Sequence, residues 1–233
     1  MLKKGERGDG MDKFAVLRQY FGFPAFRAGQ QTLIDAVLSG RDALGVMPTG
    51  GGKSLCYELP ALLLPGMTLV VSPLISLMKD QVMALRNAGI PAGCINSSMS
   101  LDELRETYRD ARYGAYKLLY VAPERLLTDG FCSLAQELEI PLVAVDEAHC
   151  ISQWGQDFRP SYLKIVEFLQ RLPRRPAVAA FTATATAQVR ADIIRILQLH
   201  EPETVVTGFD RPNLRFEVLR PKDKRTALLQ LLS

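Results

Sequence analysis

Seven short apolar runs, none of which alternates with polar residues, restrict the folds open to this chain of 233 residues. The runs are "DALGVM", "TLVVS", "AGCIN", "LLYVA", "LVAVD", "AVAAFTA" and "TVVTG". Uninterrupted apolar runs of this length are typical of strands that are buried on both faces, as in a parallel sheet covered by helices.

Helical patterns fill the segments between these runs. The clearest candidates span residues 29–39, 53–63, 75–87, 101–113, 161–171 and 186–198. A βαβα order through most of a chain predicts an α/β fold, with a mostly parallel central sheet and helices on both faces. We therefore expect a three-layer sandwich.

The two ends of the chain depart from this pattern. The start, "MLKKGERGDG", is polar and glycine-rich, and we expect residues 1–10 to be a disordered lead or an added remnant. The end, "FDRPNLRFEVLRPKDKRTALLQLLS", predicts an alternating strand, a turn and an amphipathic helix. We expect residues 208–233 to be a linker and the truncated beginning of a second domain. The alternative is a terminal helix that packs back on the first domain.

Composition narrows the class of protein without fixing its partner. A net charge of +3 is too small to indicate nucleic-acid binding, and neither the cysteines nor the two histidines show zinc-ligand spacing. We find no signal peptide and no apolar run of membrane-spanning length. We therefore expect an intracellular protein, without zinc in this segment, whose cysteines are reduced: Cys56, Cys94, Cys132 and Cys150.

A glycine-rich loop, "MPTGGGKS" at residues 47–54, separates a predicted strand from a predicted helix. Strand, glycine-rich turn and a helix that begins with Lys-Ser form the context of a phosphate-binding loop, whose main-chain N–H groups hold polyphosphate. Lys53 would reach the β and γ phosphates, and the Ser54 hydroxyl would ligate Mg²⁺. The residues expected to line the phosphates are Thr49, Gly50, Gly51 and Gly52.

The loop departs from the usual pattern at one position. That pattern opens with a glycine four residues before the Gly-Lys pair, and Met47 stands there in this chain. The alternative interpretation is a plain glycine-rich turn followed by a chance Lys-Ser pair.

An acidic pair could complete the metal site. "PLVAVDEAH" is an apolar strand that ends in two carboxylates. In phosphoryl transfer, an acidic residue at the carboxyl end of a strand holds Mg²⁺ and a neighbour positions the attacking water. We assign Asp146 to the metal and Glu147 to the general base, and expect their strand to meet that of the glycine-rich loop at a switch point. Alone, the pair could be a solvated turn; with the loop it indicates an NTPase.

Further motifs make the chain resemble a known family. Together with "AFTATAT" and "VVSPLISLMKDQ", the features above are similar to those of superfamily 2 helicases. "FGFPAFRAGQ" and "DEAHCISQWGQDFRPSY" narrow the resemblance to the RecQ family of DNA helicases, over residues 12–233. The resemblance implies a RecA-like ATP-binding lobe at residues 11–207. The tetrad "DEAH" alone would instead suggest a class of RNA helicases.

The resemblance assigns adenine recognition to "FGFPAFRAGQ". Phe23 and Arg27 would enclose the base, and Gln30 would hydrogen-bond its edge, since an amide has both a donor and an acceptor. RecQ proteins often carry tyrosine at the position of Phe23, and phenylalanine keeps the stacking face. A loop packed on the core is the alternative for Phe23, and we assign Phe26 to the core.

The resemblance also implies contacts with DNA. The loop after the tetrad would sense single-stranded DNA and report to the ATP site through His149. Trp154, the only tryptophan of the chain, lies in this polar loop, and bases stack on aromatic faces at ~1–3 kcal/mol each. A buried loop anchor is the alternative for Trp154. The predicted DNA-binding and coupling residues are Ser72, Pro73, His149, Trp154, Phe158, Arg159 and Thr182.

By the same resemblance, the whole molecule would be a 3′–5′ DNA helicase that uses ATP and Mg²⁺ to move along single-stranded DNA and unwind duplex. Its expected partners are single-stranded and partly duplex DNA, a second lobe, and zinc-binding and winged-helix segments. We expect a monomer in the bacterial cytoplasm and nucleoid or the eukaryotic nucleus.

Two other readings of the function stay open, and the segment itself is expected to be a poor enzyme. The alternatives are an RNA helicase or remodelling ATPase, and a non-hydrolysing module that changes partners with bound nucleotide. The 233 residues alone would be weakly active or inactive, because the second lobe supplies the arginines that stabilise the transferring phosphoryl group.

Overall fold

A computed structural model describes residues 12–208, 217–218, 220–221 and 223–232 of the chain. The lead predicted at residues 1–10 lies outside this part, as does most of the strand predicted near the end of the sequence.

Seven strands of the described part form one sheet, and every adjacent pair is parallel. Their order across the sheet is β3-β4-β2-β5-β6-β1-β7. Each predicted apolar run contains one strand, so the α/β prediction is confirmed. The strands are β1 (Ala43–Val46), β2 (Thr68–Val71), β3 (Ala92–Ile95), β4 (Leu118–Val121), β5 (Leu142–Val145), β6 (Ala177–Thr182) and β7 (Glu203–Val206).

Helices join the strands, and all six predicted helical segments contain one. The first and sixth helices below were not among the predicted segments. The α-helices are α1 (Lys13–Phe21), α2 (Gln30–Leu38), α3 (Leu55–Leu63), α4 (Ile75–Asn87), α5 (Leu101–Arg112), α6 (Asp129–Glu137), α7 (Lys164–Arg171), α8 (Ala187–Ile196) and α9 (Lys224–Leu232). Short 3₁₀ turns span Pro123–Arg125, Ala148–Ile151 and Pro160–Leu163.

Side chains of the sheet alternate between two cores. Val70, Ala144 and Phe181 pack with α1–α4 on one face. Val71 and Val145 pack with α5–α8 on the other face. Because neighbours along β1–β6 are buried on opposite faces, these strands show no polar alternation, whereas the edge strand β7 is only partly buried. The sheet with a helical layer on each face is the predicted three-layer sandwich.

The glycine-rich loop and the acidic pair lie at the same edge of the sheet, since both follow the carboxyl end of a parallel strand. Their strands β1 and β5 do not pair, because β6 lies between them. Val46 of β1 faces Thr182 of β6, and Val145 of β5 faces Ala180. The prediction that the two strands meet is therefore wrong, and the end of β6 lies between the two motifs.

Local sequence explains the exposed elements. α5 begins with a capping box in which Ser100 and Glu103 each bond the other's main-chain N–H. Its mixed charges lie on an exposed face with ion pairs one turn apart, as a solvated helix requires. In α9, Leu228 and Leu229 are more than half exposed, and the division of the chain near residue 208 stays a prediction.

The state of the cysteines and the character of the helices can be read from the described residues. All four cysteines are free, with Cys56 and Cys150 buried and Cys94 and Cys132 half-buried. No helix in the described residues has both the length and the apolar character needed to cross a membrane.

Candidate functional site

The glycine-rich loop (residues 47–54) turns through two glycines in the left-handed region. Gly50 has a φ of +79° and Gly52 a φ of +80°, which side-chain-bearing residues adopt only with strain. Gly51 donates its N–H to the Pro48 carbonyl at 2.8 Å, and a Cβ at this position would lie 2.8 Å from the same oxygen. The backbone of the loop therefore requires all three glycines.

Met47 and Lys53 anchor the loop at its two ends. Met47, which stands where the usual pattern has glycine, is a buried core residue whose N–H donates to the Thr182 carbonyl at 3.0 Å. Lys53 donates from Nζ to the Met47 carbonyl at 3.3 Å. Although Met47 departs from the usual pattern, its N–H still attaches the loop to β6. Its carbonyl holds the Lys53 side chain at the loop.

Gln30 and Arg27, which were predicted to contact adenine, brace the glycine-rich loop. The Gln30 amide accepts from the Arg27 N–H at 2.7 Å and donates to the Gly52 carbonyl at 3.0 Å. The Arg27 guanidinium donates to the Gly50 carbonyl. Because Gln30 is buried, its amide depends on these partners. Sequence reasoning missed this bracing role, and the contacts with adenine stay predictions.

The two phenylalanines of the same segment differ in environment. Phe23 is 45% exposed, which argues against the alternative of a residue packed on the core. Phe26 packs against the core, and its ring centroid lies 5.3 Å from that of Phe14. The assignment of Phe26 to the core is therefore confirmed.

The acidic pair lies where β5 ends. Asp146 is buried, and its Oδ1 accepts a hydrogen bond from the Glu147 N–H at 3.0 Å. Burial and the neighbouring Glu147 carboxylate raise the pKa of Asp146 to about 6. Glu147 itself has a φ of +47°, a strained conformation for a glutamate. Two adjacent carboxylates in this setting form a site that a cation would stabilise.

His149 links the acidic pair to β6. Its Nδ1 lies 3.2 Å from Glu147 Oε2 and 2.9 Å from Thr182 Oγ1. The contact with His149 lowers the pKa of Glu147, while the Cys150 sulfur and the Glu147 carboxylate raise the pKa of His149 to about 10. Three predicted residues, the general base Glu147 and the coupling residues His149 and Thr182, are therefore joined by direct contacts.

One cavity of about 440 Å³ gathers the predicted nucleotide-binding residues, a volume within the usual range for small-molecule sites. Lys53 and the acidic pair line it together, so the loop and the carboxylates face the same space. The predicted residues that line the cavity are Phe23, Arg27, Gln30, Thr49, Gly50, Gly52, Lys53, Ser54, Asp146 and Glu147.

Ala25 and Leu55 line the cavity without having been predicted as site residues, and three further residues of this region were not found from the sequence. Leu77 and Gln81 of α4 line the same cavity, and the Tyr162 hydroxyl donates to the Asp146 carbonyl at 2.8 Å. The helical pattern of α4 gives no sign of which residues face a cavity, because its apolar face also packs on the core. Tyr162 lies in the quoted "FRPSY" motif, but its partner could be known only from the fold.

The chemistry of the cavity fits a complex of Mg²⁺ with a nucleotide. Ser54 and Asp146 offer oxygen ligands, and Mg²⁺ in proteins is commonly held by one or two carboxylates together with substrate phosphates. Within the described ranges, no cluster of three or more His, Cys, Asp or Glu side chains is placed to hold a metal ion by itself. Phosphate oxygens and water would complete such a site.

The aromatic loop (residues 152–159) follows the acidic pair and lies apart from this cavity. Trp154 is 74% exposed, so the alternative of a buried anchor is wrong. Trp154 and Phe158 line a second cavity of about 430 Å³ beside α8. Arg159 donates from Nη1 to the Pro73 carbonyl at 3.0 Å, which ties the loop to the turn after β2.

Ser72 and Pro73 form that turn. Ser72 is 1% exposed, and its N–H donates to the Val121 carbonyl at 3.2 Å. Ser72 is therefore buried directly after β2 and bonded to β4, and Pro73 is the more accessible of the two. Their contact with DNA stays a prediction.

Comparison with known proteins agrees with the motifs. The family model described as DEAD/DEAH box helicase matches residues 27–193. The ATP-dependent DNA helicase RecQ of Bacillus subtilis is 50% identical over 211 residues, which cover 90% of this chain and 36% of that protein. The RecQ helicase of Pasteurella multocida is 48% identical over 88% of this chain and 32% of its own length. The chain thus spans about a third of these relatives.

Solved structures share the architecture at low sequence identity. The crystal structure of the DUF1998 helicase MrfA has a TM-score of 0.66 at 19% identity, covering 83% of this chain and 32% of that one. The Hef helicase domain of Pyrococcus furiosus has a TM-score of 0.61 at 18% identity, covering 81% of this chain and 39% of that one. Likeness at this identity bears on the fold alone, and it confirms the RecA-like fold.

The family model covers most of the described residues, and the identities hold across about nine-tenths of the chain. The glycine-rich loop and the acidic pair fall within the matched region, whereas Phe23 of the first cavity lies just before it. The chain belongs to the DEAD/DEAH box helicase family, in which it is a RecQ-family N-terminal helicase lobe.

Proposed function

We propose that this chain is the ATP-binding motor lobe of a DNA helicase that moves 3′–5′ along single-stranded DNA. Residues 11–207 would form the first lobe, and residues 208–233 would lead into the second. The observation that carries the proposal is the cavity that Lys53 lines together with Asp146 and Glu147.

The glycine-rich loop would hold the triphosphate. The start of α3 and the left-handed Gly50 and Gly52 suit an anion, because such backbone directs N–H groups toward one point. Lys53 would leave the Met47 carbonyl and pair with phosphate oxygens, exchanging a neutral acceptor for a charged one.

The acidic pair would serve the chemical step. Mg²⁺, when bound through Ser54 and Asp146, would neutralise charge on the phosphates. Glu147 would orient the attacking water and accept its proton as general base. The 3.2 Å contact with His149 holds the Glu147 carboxylate in position.

The aromatic loop would contact single-stranded DNA. Trp154 presents an exposed indole, on which a base of any sequence can stack. The loop begins shortly after His149, which contacts both Glu147 and Thr182, so a change in the loop would reach the general base. The names of the most similar relatives, which are DNA helicases, favour DNA over RNA.

A second lobe would complete the enzyme. Arginine side chains that reach a transferring phosphoryl group accelerate such reactions by ~10³–10⁵. We therefore propose that the 233 residues alone bind Mg-ATP weakly, hydrolyse it poorly and do not unwind duplex. The intact protein would act inside the cell as a monomer, with zinc-binding and winged-helix segments that engage partly duplex DNA.

The test is ATP hydrolysis by the intact helicase with and without single-stranded DNA, for the wild type and for Trp154→Ala. We expect the DNA to stimulate the wild type and the stimulation, relative to each protein's own basal rate, to be lost in the variant. Met83→Ala, which removes another exposed apolar side chain outside both cavities, is the control. Stimulation by RNA and not DNA would contradict a DNA helicase.

A further inference from the structure

The aromatic loop begins with a buried serine. Ser152 has no exposed surface, and its Oγ donates to Asp192 Oδ2 at 2.8 Å. The same oxygen accepts a hydrogen bond from the Trp154 N–H at 3.1 Å. One hydroxyl therefore joins α8 to the main chain of the tryptophan, as donor on one side and acceptor on the other.

A second contact closes the turn around Trp154. Gly155 donates its N–H to the Ser152 carbonyl at 2.9 Å. A Cβ at Gly155 would lie 2.2 Å from the His149 carbonyl oxygen, so the turn packs directly on the chain that leaves the acidic pair. The closed turn presents the indole outward, where it is 74% exposed.

Asp192 holds the serine from α8. Its second oxygen, Oδ1, accepts from Arg195 Nη2 at 2.8 Å. The Arg195 side chain is 70% exposed whereas that of Asp192 is 10% exposed, so the bond to Ser152 is the buried one of the two. A hydrogen bond to a charged acceptor is stronger than one between neutral groups.

Two tethers therefore join the chain after β5 to the end of β6 and to α8, the helix that follows it. Near the nucleotide cavity, His149 contacts Thr182, the last residue of β6. Near the aromatic loop, Ser152 contacts Asp192 in α8. As long as the second tether holds, a displacement of the loop must carry α8 with it.

The second cavity is an alternative position for the Trp154 indole. It lies between the aromatic loop and α8, with Trp154 and Asp192 in its wall. Apolar side chains also line it: Ile151, Phe158, Leu163 and Ile196. Because burial of an indole against apolar groups is favourable, a released Trp154 would gain by moving into this space.

We propose that Asp192 is a positioning residue for DNA-stimulated ATP hydrolysis: through Ser152 it holds Trp154 in the exposed position and couples the aromatic loop to α8. This inference rests on the proposed function, because it concerns a tryptophan whose ligand would be single-stranded DNA. Asp192 does not line the nucleotide cavity, so its effect on hydrolysis would pass through the loop.

Intrinsic fluorescence tests the positioning directly, because Trp154 is the only tryptophan of the 233 residues. In Asp192→Leu, which removes the acceptor, we expect emission at shorter wavelength and weaker quenching by acrylamide.

Two further variants are controls for this measurement. Asp192→Asn keeps an acceptor oxygen for Ser152 and should resemble the wild type. Arg105→Ala, which removes an exposed pair on α5 outside the second cavity, is the control. A spectrum of Asp192→Leu identical to the wild type would overturn the inference; if this variant fails to fold, Ser152→Ala removes the same bond.

Hydrolysis by the intact helicase separates the two proposals. We expect Asp192→Leu to reduce DNA stimulation by about tenfold, the size expected for a lost hydrogen bond to a charged group, and Asp192→Asn to restore most of it. If DNA does not stimulate the wild type, both proposals fail. If DNA stimulates the wild type and Asp192→Leu equally, only this inference fails. Equal impairment of the two variants would also overturn it, because charge and not the hydrogen bond would then be responsible.

Discussion

Two buried aspartates lie at opposite edges of the same sheet and have opposite environments. Asp42 precedes β1, and its carboxylate accepts from Arg175, from the Val178 N–H at 2.8 Å and from the His200 N–H at 2.7 Å. Burial alone would raise the pKa of Asp42, but these bonds outweigh it and lower the pKa. Asp146 follows β5, and burial with a like-charged neighbour raises its pKa to about 6.

The comparison distinguishes a carboxylate that is paired within the protein from one that lines a candidate site. At the amino edge, Arg175 neutralises Asp42, and the carboxylate ties β1, β6 and the segment before β7 together. At the carboxyl edge, the charges of Asp146 and Glu147 face a cavity of about 440 Å³. The first site is complete within the protein, whereas the second is suited to a ligand that brings a cation.

The largest expected effect is on catalysis at the carboxyl edge. In the intact helicase, Glu147→Gln should lower the ATP hydrolysis rate by about 10²–10⁴-fold, because the general base is lost. Its melting temperature should stay near that of the wild type. Single-turnover hydrolysis measures the effect, with Glu106→Gln on the exposed face of α5 as the control. A hydrolysis rate close to that of the wild type would show that Glu147 is not the general base.

At the amino edge the expected effect is on stability. Asp42→Ala leaves Arg175 and two main-chain N–H groups without their acceptor, and should lower the free energy of unfolding by about 3 kcal/mol. Nucleotide affinity should not change. Urea denaturation measures the loss, and Asp35→Ala, which breaks a more exposed pair with Lys13, should cost less than about 1 kcal/mol. Equal losses of unfolding free energy in the two variants would show that Asp42 stabilises the fold no more than an exposed ion pair does.

A smaller effect should appear in the pH dependence. Because the folded pKa of Asp42 is lowered, its stabilisation is present above the unfolded value of about 3.9 and is lost as the pH falls through the folded pKa. The stability difference between the wild type and Asp42→Asn should therefore be constant above about pH 5 and shrink below about pH 4. Thermal denaturation across this range measures it, and a difference that does not vary with pH would contradict the assignment.

The fold was largely predictable because the strands of a covered parallel sheet must be apolar along their whole length. Each run from "DALGVM" to "TVVTG" therefore marked a strand. The order of the strands was not predictable, since β6 enters between β1 and β5 through contacts distant in sequence. α1 and α6 were not predicted, although α2 and α3 have the same length of nine residues.

The site was predictable where a motif is local and not where it depends on the fold. The glycine-rich loop and the acidic pair each carry their chemistry in a few consecutive residues. The bracing of the loop by Gln30 and the tether from Asp192 join residues 22 and 40 positions apart. "DALGVM" and "LVAVD" each contain one aspartate, and only the structure distinguishes the neutralised Asp42 from the ligand-facing Asp146.

The proposed function depends on nucleotide binding in the cavity that Lys53 lines with the acidic pair. We would measure the affinity of the 233-residue chain for a non-hydrolysable ATP analogue with Mg²⁺, in the wild type, Lys53→Ala and Lys79→Ala. Lys79 is an exposed lysine that does not line the cavity, so its loss should not matter. We expect Lys53→Ala to lose affinity by about tenfold or more, as for a lost charge-assisted hydrogen bond, and Lys79→Ala to bind like the wild type. Equal affinity of Lys53→Ala and the wild type would contradict it.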